Sequence, residues 1–342
     1  MNRTTLKKML IGFFLAAFIL LLGLFNAGKP RILVLHSYSY DFPWSQRVNT
    51  GMKNILKKNR NPVSVKFHYL GLESNLDANR IRNAVNEAQR AIALQKPDLV
   101  IAVDDESNQH IARNYAVKGG AKIIFVATLL PPATYGYAGN GNVAGIEERL
   151  PLDAVRDAIL TARKGKNARI AVLSMDDVTG RAELAQVNSY AWAPHRLIAT
   201  RGANSFPEWQ QFIKQEADLA DVLLILSYGG LVRGNGDIRE VPSGEIATWI
   251  EKNAKPLPLG ICSTFAEDGG GLSITPAPVD FGEKSMSMAL EWIAAGKDSA
   301  PPTVTSSPHF MVGIRKSALE ARGITMPAIY IEAARVSDAL FQ

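Results

Sequence analysis

His36, His68, His110, His195 and His309 are the five histidines of the chain, and no two stand three or four positions apart. No helical face therefore carries a local zinc pair. Cys262 is the single cysteine, which excludes an intramolecular disulfide and any paired-cysteine zinc or redox motif. Standing after an apolar strand, it could act as a nucleophile with a distant histidine as base, but it reads more simply as buried filling. Asp268-Gly-Gly-Gly271 could cradle phosphate through backbone amides, yet it lacks the accompanying Lys and Ser/Thr, so it reads as a tight crossover turn. There is no G-x-S-x-G elbow and no P-loop. What remains is a set of polar residues that follow apolar runs. Ile32 to Leu35 leads into His36, Ser37, Tyr38, Ser39, Tyr40 and Trp44; Leu99 to Val103 into Asp104, Asp105, Glu106 and Ser107; Ile123 to Ala127 into Thr128. Later runs lead into Ser174, Asp176 and Asp177, into Ser227 and Tyr228, and into Cys262, Ser263 and Thr264. Each exit alone could simply cap a helix. Recurring in both halves, these hydroxyls, aromatics and carboxylates can orient a small polar solute and stack against its flat part.

The elements that must position these residues alternate. Val48, Met52, Ile55 and Leu56 form a helical face behind the first apolar run, and Val63 to Leu70 alternates like a strand. Asp77 can cap a helix whose Ile81, Ala84, Val85, Ala88 and Ile92 share one stripe. The segment Ser107 to Val117 reads as a helix, and Asn142 to Ile146 as a short strand after a loop rich in Pro, Gly and Tyr. A second series repeats the pattern: strands at Ile170 to Leu173, Arg196 to Ala199, Val222 to Leu226 and Leu257 to Ile261 alternate with helices at Asp153 to Ala162, Gly180 to Trp192, Phe206 to Glu216 and after Ser243. Fully apolar strands between helices imply two parallel sheets covered on both faces. Ligands of such sheets bind beyond the carboxyl ends of the strands.

With 342 residues, 47% of them hydrophobic and 20% charged, the chain can fill one large or two medium cores. Disordered, collagenous and multi-span membrane classes are excluded. Half of the net charge of +6 comes from Arg3, Lys7 and Lys8, and no basic run with interleaved aromatics appears, so no nucleic-acid partner is expected. Those three cations precede the uncharged run Met9 to Phe25, which reads as an export signal. No clean small-x-small cleavage site follows, so residues 1–27 are either a signal peptide or an uncleaved inner-membrane anchor. The positive-inside rule places everything after Gly28 outside the cytoplasm.

ILVLHSYSYDFPWSQRVNTGM (Ile32 to Met52), PDLVIAVDDESNQHIA (Pro97 to Ala112), NVAGIEE (Asn142 to Glu148), AEDGGGLSI (Ala266 to Ile274) and VGIRKSALEARGITMP (Val312 to Pro327) occur in one order along the chain. In these motifs the sequence resembles the extracytoplasmic substrate-binding proteins of ABC transporters, the tryptophan- and tyrosine-type family with its related sensor modules. The resemblance implies an α/β, type I periplasmic-binding-protein-like fold, two doubly wound parallel-sheet lobes joined by three crossing strands. It divides the chain into residues 28–145 plus 275–302 and residues 146–274 plus 303–342.

By the same likeness Ser37, Tyr38, Trp44, Asp104, Asp105 and Thr128 line the first-lobe wall, Glu147 sits at the hinge, and Asp176 and Tyr228 face them. Thr264 joins them from its strand exit. Where amino-acid-binding relatives often present small hydroxyl or amide residues after the third strand, this chain has Asp104, Asp105 and Glu106, which favours a cationic or multi-hydroxyl solute. The expectation is a periplasmic solute receptor for an ABC permease, with no cofactor, no metal and no catalysis. The alternatives are an anchored sensory protein feeding a kinase or cyclase, and a hydrolase using Asp104 or Cys262.

Overall fold

The computed structural model describes residues 3–72, 78–117, 119–262 and 264–342. The expected cap at Asp77 and the strand-exit residue Ser263 lie outside them. After a helix α1 (Arg3–Ala27), the first lobe runs β1 (Arg31–His36), α2 (Pro43–Lys58), β2 (Ser64–Tyr69), α3 (Ala78–Gln95), β3 (Leu99–Val103), α4 (Asp104–His110), β4 (Lys122–Thr128) and β5 (Val143–Glu147). The second continues with α5 (Leu152–Ala162), β6 (Arg169–Ser174), α6 (Val178–Ser189), β7 (Arg196–Gly202), α7 (Phe206–Gln215) and β8 (Val222–Ile225). A hairpin of β9 (Val232–Gly234) and β10 (Asp237–Glu240) precedes α8 (Ser243–Asn253), β11 (Leu257–Gly260), α9 (Phe265–Asp268) and β12 (Leu272–Pro276). The last segment holds α10 (Pro278–Ala294), β13 (Thr305–Ser306), β14 (Phe310–Arg315), α11 (Lys316–Ala321), α12 (Ala328–Val336) and β15 (Leu340–Phe341).

The first sheet has the order β13-β5-β4-β3-β1-β2 and is parallel throughout. The second has the order β15-β14-β12-β11-β8-β6-β7, and β14 pairs with β12 antiparallel, so this lobe departs from the all-parallel expectation at its last strands. The chain crosses between lobes after β5, after β12 and after β13. The first sheet therefore reaches Glu147 and takes in Ser306, so the expected divisions at 145 and 302 fall short of where the strands end.

Alternation along the strands sets the layers. Ile32, Val34, Ile101 and Val103 face α2 and α10, whereas Leu33, Leu35 and Val100 face Ala84, Ala88 and Ile92 of α3. In the second lobe Ile170, Val172 and Leu224 pack toward α5, and Leu173, Leu223 and Ile225 toward Trp209 and Phe212 of α7 and Ile246 and Ile250 of α8. Strands buried on both faces need apolar residues on both, which is why Leu99–Val103 is apolar without a break.

Helix α10 returns from the second lobe to cover the first. It meets α2 at backbone contact, because Gly51 and Gly282 leave no Cβ between them: a Cβ built on Gly282 would stand 2.0 Å from the Val48 carbonyl oxygen. At its far end Lys122 Nζ donates to the Trp292 and Gly296 carbonyls, both at 2.6 Å, completing the helix C-terminus with a cation. Near its start Asp280 accepts from Ser307, from His309 Nδ1 at 2.8 Å and from Lys284 at 2.9 Å, which ties α10 to the third crossing.

Helix α1 leaves its apolar side chains exposed, Phe13 at 75% and Ile19 at 67%. Among the described residues no helix is long and apolar enough to cross a membrane. The uncharged run of roughly 17 residues spans about 26 Å as a helix, short of the ~30 Å hydrocarbon core.

Candidate functional site

The carboxyl ends of both sheets open onto one cavity of about 530 Å³ between the lobes. Its first-lobe wall carries Tyr38, Phe42 and Trp44 from the segment after β1, Asp104, Asp105 and Glu106 at the start of α4, and Leu129 after β4. The second lobe contributes Asp177, Glu183, Asn204, Tyr228, Cys262 and Thr264. Glu148 lies on the first crossing, between the two walls. A wider groove of about 730 Å³ runs over the second lobe alone, beside Lys252, Arg315 and Arg322. Arg322 is already committed there to Glu251 and to the carbonyls that end α8, so this groove is helix-capping surface and not a cleft between lobes.

Of the residues named from the sequence, Tyr38, Trp44, Asp104, Asp105, Tyr228 and Thr264 line the cavity. Four expected residues do not line it. Ser37 is fully buried; its hydroxyl donates to the Val103 carbonyl at 2.7 Å and accepts from Ser107 N–H at 2.9 Å, joining β1 to the entry of α4. Thr128 is fully buried at the end of β4. Glu147 turns to Arg149 at 2.6 Å, and Asp176 turns to Arg181 at 2.8 Å. In both of the latter cases the next residue, Glu148 or Asp177, reaches the cavity instead. Successive side chains of extended chain point opposite ways, so a reading one position off selects the wrong face.

Among the other lining residues, Glu106 and Asp177 were named at strand exits but not assigned to the site, and Phe42, Glu148, Glu183 and Asn204 were not named for it. Glu183 left a trace, an acid between the buried Ala182 and Val187 on one helix. Asn204 left none.

Asp104 opens α4 with φ +66°, a left-handed conformation that Asp tolerates better than most residues. This turns its carboxylate to the Trp44 indole, which donates to it at 3.2 Å. Asp105 accepts from Leu129 N–H and Leu130 N–H, each at 3.2 Å, and from the Tyr135 hydroxyl, so it organises the loop after β4. Asp177 caps α6 by accepting from Gly180 N–H at 2.7 Å. Glu183 accepts from Ser227 N–H at 3.0 Å and Ser174 Oγ at 3.2 Å, and burial pushes its carboxyl up to about 7 despite them. Burial drives Asp104 and Glu148 well above the ordinary carboxyl range, and the neighbouring acids add to it. On the far wall the Tyr228 hydroxyl donates to Asp268 at 2.5 Å, with Thr264 Oγ1 at 3.3 Å.

Burial pushes the Cys262 thiol up to about 11, so it is not a thiolate near neutrality, and its nearest polar contact is Thr264 Oγ1 at 3.5 Å. No histidine lines the cavity among the described residues. His36 is held neutral beneath it, pushed down to about 4 by burial while it shares a hydrogen bond with Asn49 and stacks on Tyr69.

An ion pair joins the two lobes. Arg47 of α2 meets Glu267 of α9 at 2.7 Å. The pair is partly exposed, so it is worth about 0.2–1 kcal/mol and is screened by salt. Glu267→Ala is expected to enlarge the radius of gyration of the ligand-free protein in low-salt X-ray scattering. Equal values for wild type and variant at low salt would show that the pair does not hold the lobes together.

No family model matches the chain, and no curated protein matches it. Solved structures do. A structure from Streptococcus pneumoniae, described as an ABC domain in complex with L-Trp, superposes with a TM-score of 0.66 at 16% identity, over 90% of this chain and 98% of that one. The two-lobed, three-crossing fold is that of the type I periplasmic binding proteins. A conserved domain protein of Vibrio cholerae gives 0.66 at 15% identity, over 92% and 100% of the two chains. The ligand-free, open form of a substrate-binding protein with adhesive properties from Clostridium difficile gives 0.63 at 18%, over 87% and 96%. At these identities the likeness concerns the binding-protein fold.

Proposed function

We propose that the protein is an extracytoplasmic solute receptor that captures a small organic molecule between its lobes, without altering it, and delivers it to an ABC-type permease. The observation that carries this reading is the cavity whose lining comes from both lobes and from the first crossing. A guest there is desolvated by both walls at once, so its binding energy favours the closed arrangement and couples occupancy to lobe position. The likeness of fold to substrate-binding proteins supports the same reading. Helix α1, with its exposed apolar side chains, fits an export signal or a tether at the outer side of the inner membrane. A tether also suits a sensory receptor that docks on a signalling partner; a processed N-terminus near Gly28 in the mass of the mature protein speaks against it.

Native mass spectrometry of freshly purified protein is expected to show one small molecule bound and to recover it unchanged. Trp44→Ala and Asp104→Asn are each expected to weaken its retention by about 1–3 kcal/mol, through loss of the indole face and of a charge-assisted contact. Wild-type retention in both variants would place the guest elsewhere, and a chemically altered guest would restore the enzyme reading.

A further inference from the structure

The cleft carries more negative charge than its own hydrogen bonds consume. Asp105, Asp177 and Glu183 are each engaged by backbone N–H groups, and Glu106 is paired with His110 at 2.9 Å. Two buried carboxyls remain open, while Glu240 of β10, also at the cavity, is exposed to solvent. Asp104 receives the Trp44 indole N–H on one oxygen. Glu148 is only 8% exposed, and its carboxylate has no hydrogen-bond partner among the described residues. No Lys, Arg or His lines the cavity among the described residues. Two buried carboxyls this close to other acids cannot both ionise without a counter-charge.

We propose, on the basis of the receptor reading above, that the solute is an organic cation whose ammonium or guanidinium group lodges between Asp104 and Glu148 while its apolar body lies against Tyr38, Phe42 and Trp44. The two open carboxylates supply charge-assisted acceptors, and the aromatic faces attract the cation and cover its carbon skeleton. A neutral polyol would leave the acids without a counter-charge. A zwitterionic amino acid would bring a third carboxylate to a wall that offers no cation to receive it. A metal ion needs several donors converging on one point, and no group of three His, Cys, Asp or Glu side chains does so among the described residues.

The empty pair holds a proton in place of the guest, since burial raises both carboxyls. The groups facing the pair do not offset this: Tyr38 after β1, Asp105 and Glu106 on α4, and Asp177 and Glu183 on the second lobe are all acids. When the cation enters near neutrality, the O–H bond of the protonated carboxyl breaks and the proton passes to buffer, while the ammonium takes over as hydrogen-bond donor. Binding therefore weakens as the pH falls.

Calorimetry on the full chain with three matched sets tests this. The first is 2-phenylethylamine, 2-phenylethanol and 3-phenylpropanoate; the second is putrescine, 1,4-butanediol and succinate; the third is agmatine with L-phenylalanine. The expected result is binding of one or more of the cations alone, with a heat that differs between phosphate and Tris buffers because a proton is released. Affinity is expected to fall several-fold or more from pH 7.5 to 6.5. Glu148→Gln is expected to weaken the bound cation by 10- to 100-fold and to abolish the buffer dependence, while the ligand-free variant melts at or above the wild-type temperature, since it loses a repulsive group. Cation binding that is unchanged in Glu148→Gln, or binding by none of the cations, overturns the proposal. If the alcohol, diol or amino acid binds instead, the receptor reading stands and the cation class falls. If nothing binds and the purified protein carries no guest, both fall.

Discussion

Between pH 6.5 and 8.5 the ligand-free protein is expected to become less stable as the pH rises. The sign follows from proton counts. Asp104, Glu148 and Glu183 have folded-state pKa values above those of the unfolded chain, so the folded state binds more protons and unfolding becomes easier as pH rises. For Glu183 the loss runs from about 4.5 to about 7 and is largely complete above that. Asp104 and Glu148, raised well above the usual range, carry the effect further. Each carboxyl that keeps its proton contributes about 1.4 kcal/mol per pH unit. His36 acts in the opposite direction, but only between about 4 and its ordinary 6.5, so the chosen range lies above its window. Urea unfolding at three pH values reads the slope directly, and the double variant Asp104→Asn with Glu148→Gln is expected to flatten it. A wild-type stability that rises across this range would mean the acids are already ionised and hydrated in the empty cleft. The proposed solute should then find no proton to displace.

The second large effect lies away from the cleft. Gly282→Ala is expected to destabilise the protein by about 3 kcal/mol, near the upper end for overpacking, because the new methyl would meet the Val48 carbonyl and not a movable side chain. Alanine is the better helix former by roughly 1 kcal/mol, so a net loss isolates the contact between α2 and α10. Gly141→Ala is the control, since nothing stands within 4 Å of the added Cβ there. Thermal unfolding that is unchanged in Gly282→Ala would show that the helices can separate freely. The same contact bears on function. Helix α2 begins with Pro43 and Trp44, so the cleft wall is seated on the surface that α10 covers.

Most of the architecture was legible because its signals are local. The apolar runs at Ile32–Leu35, Leu99–Val103 and Val222–Ile225 have the length and flanks of buried strands, and the helices between them show one-sided stripes. The helix expected over Ser107 to Val117 began instead at Asp104, because Ser37, just beyond the neighbouring strand β1, supplies the hydroxyl that receives Ser107 N–H. No pattern within the segment carries that information. The antiparallel β14 was likewise hidden, since its six residues read as a strand whichever way they pair.

By itself, the sequence determined the alternation of the main strands and helices from β1 to β11, the basic-then-apolar N-terminus, and the clustering of acids and aromatics where apolar strands end. These depend on residue type and spacing, which a chain carries in its linear order. Only the tertiary structure decided which acid of each neighbouring pair reaches the cavity: Glu148 and not Glu147, Asp177 and not Asp176. A side chain's direction depends on the twist of the backbone as it leaves its strand, and on which partners from distant segments draw its neighbour away. The charge surplus at Asp104 and Glu148 has the same origin. It exists because elements far apart in sequence bury two carboxyls together and leave their remaining hydrogen bonds for a guest.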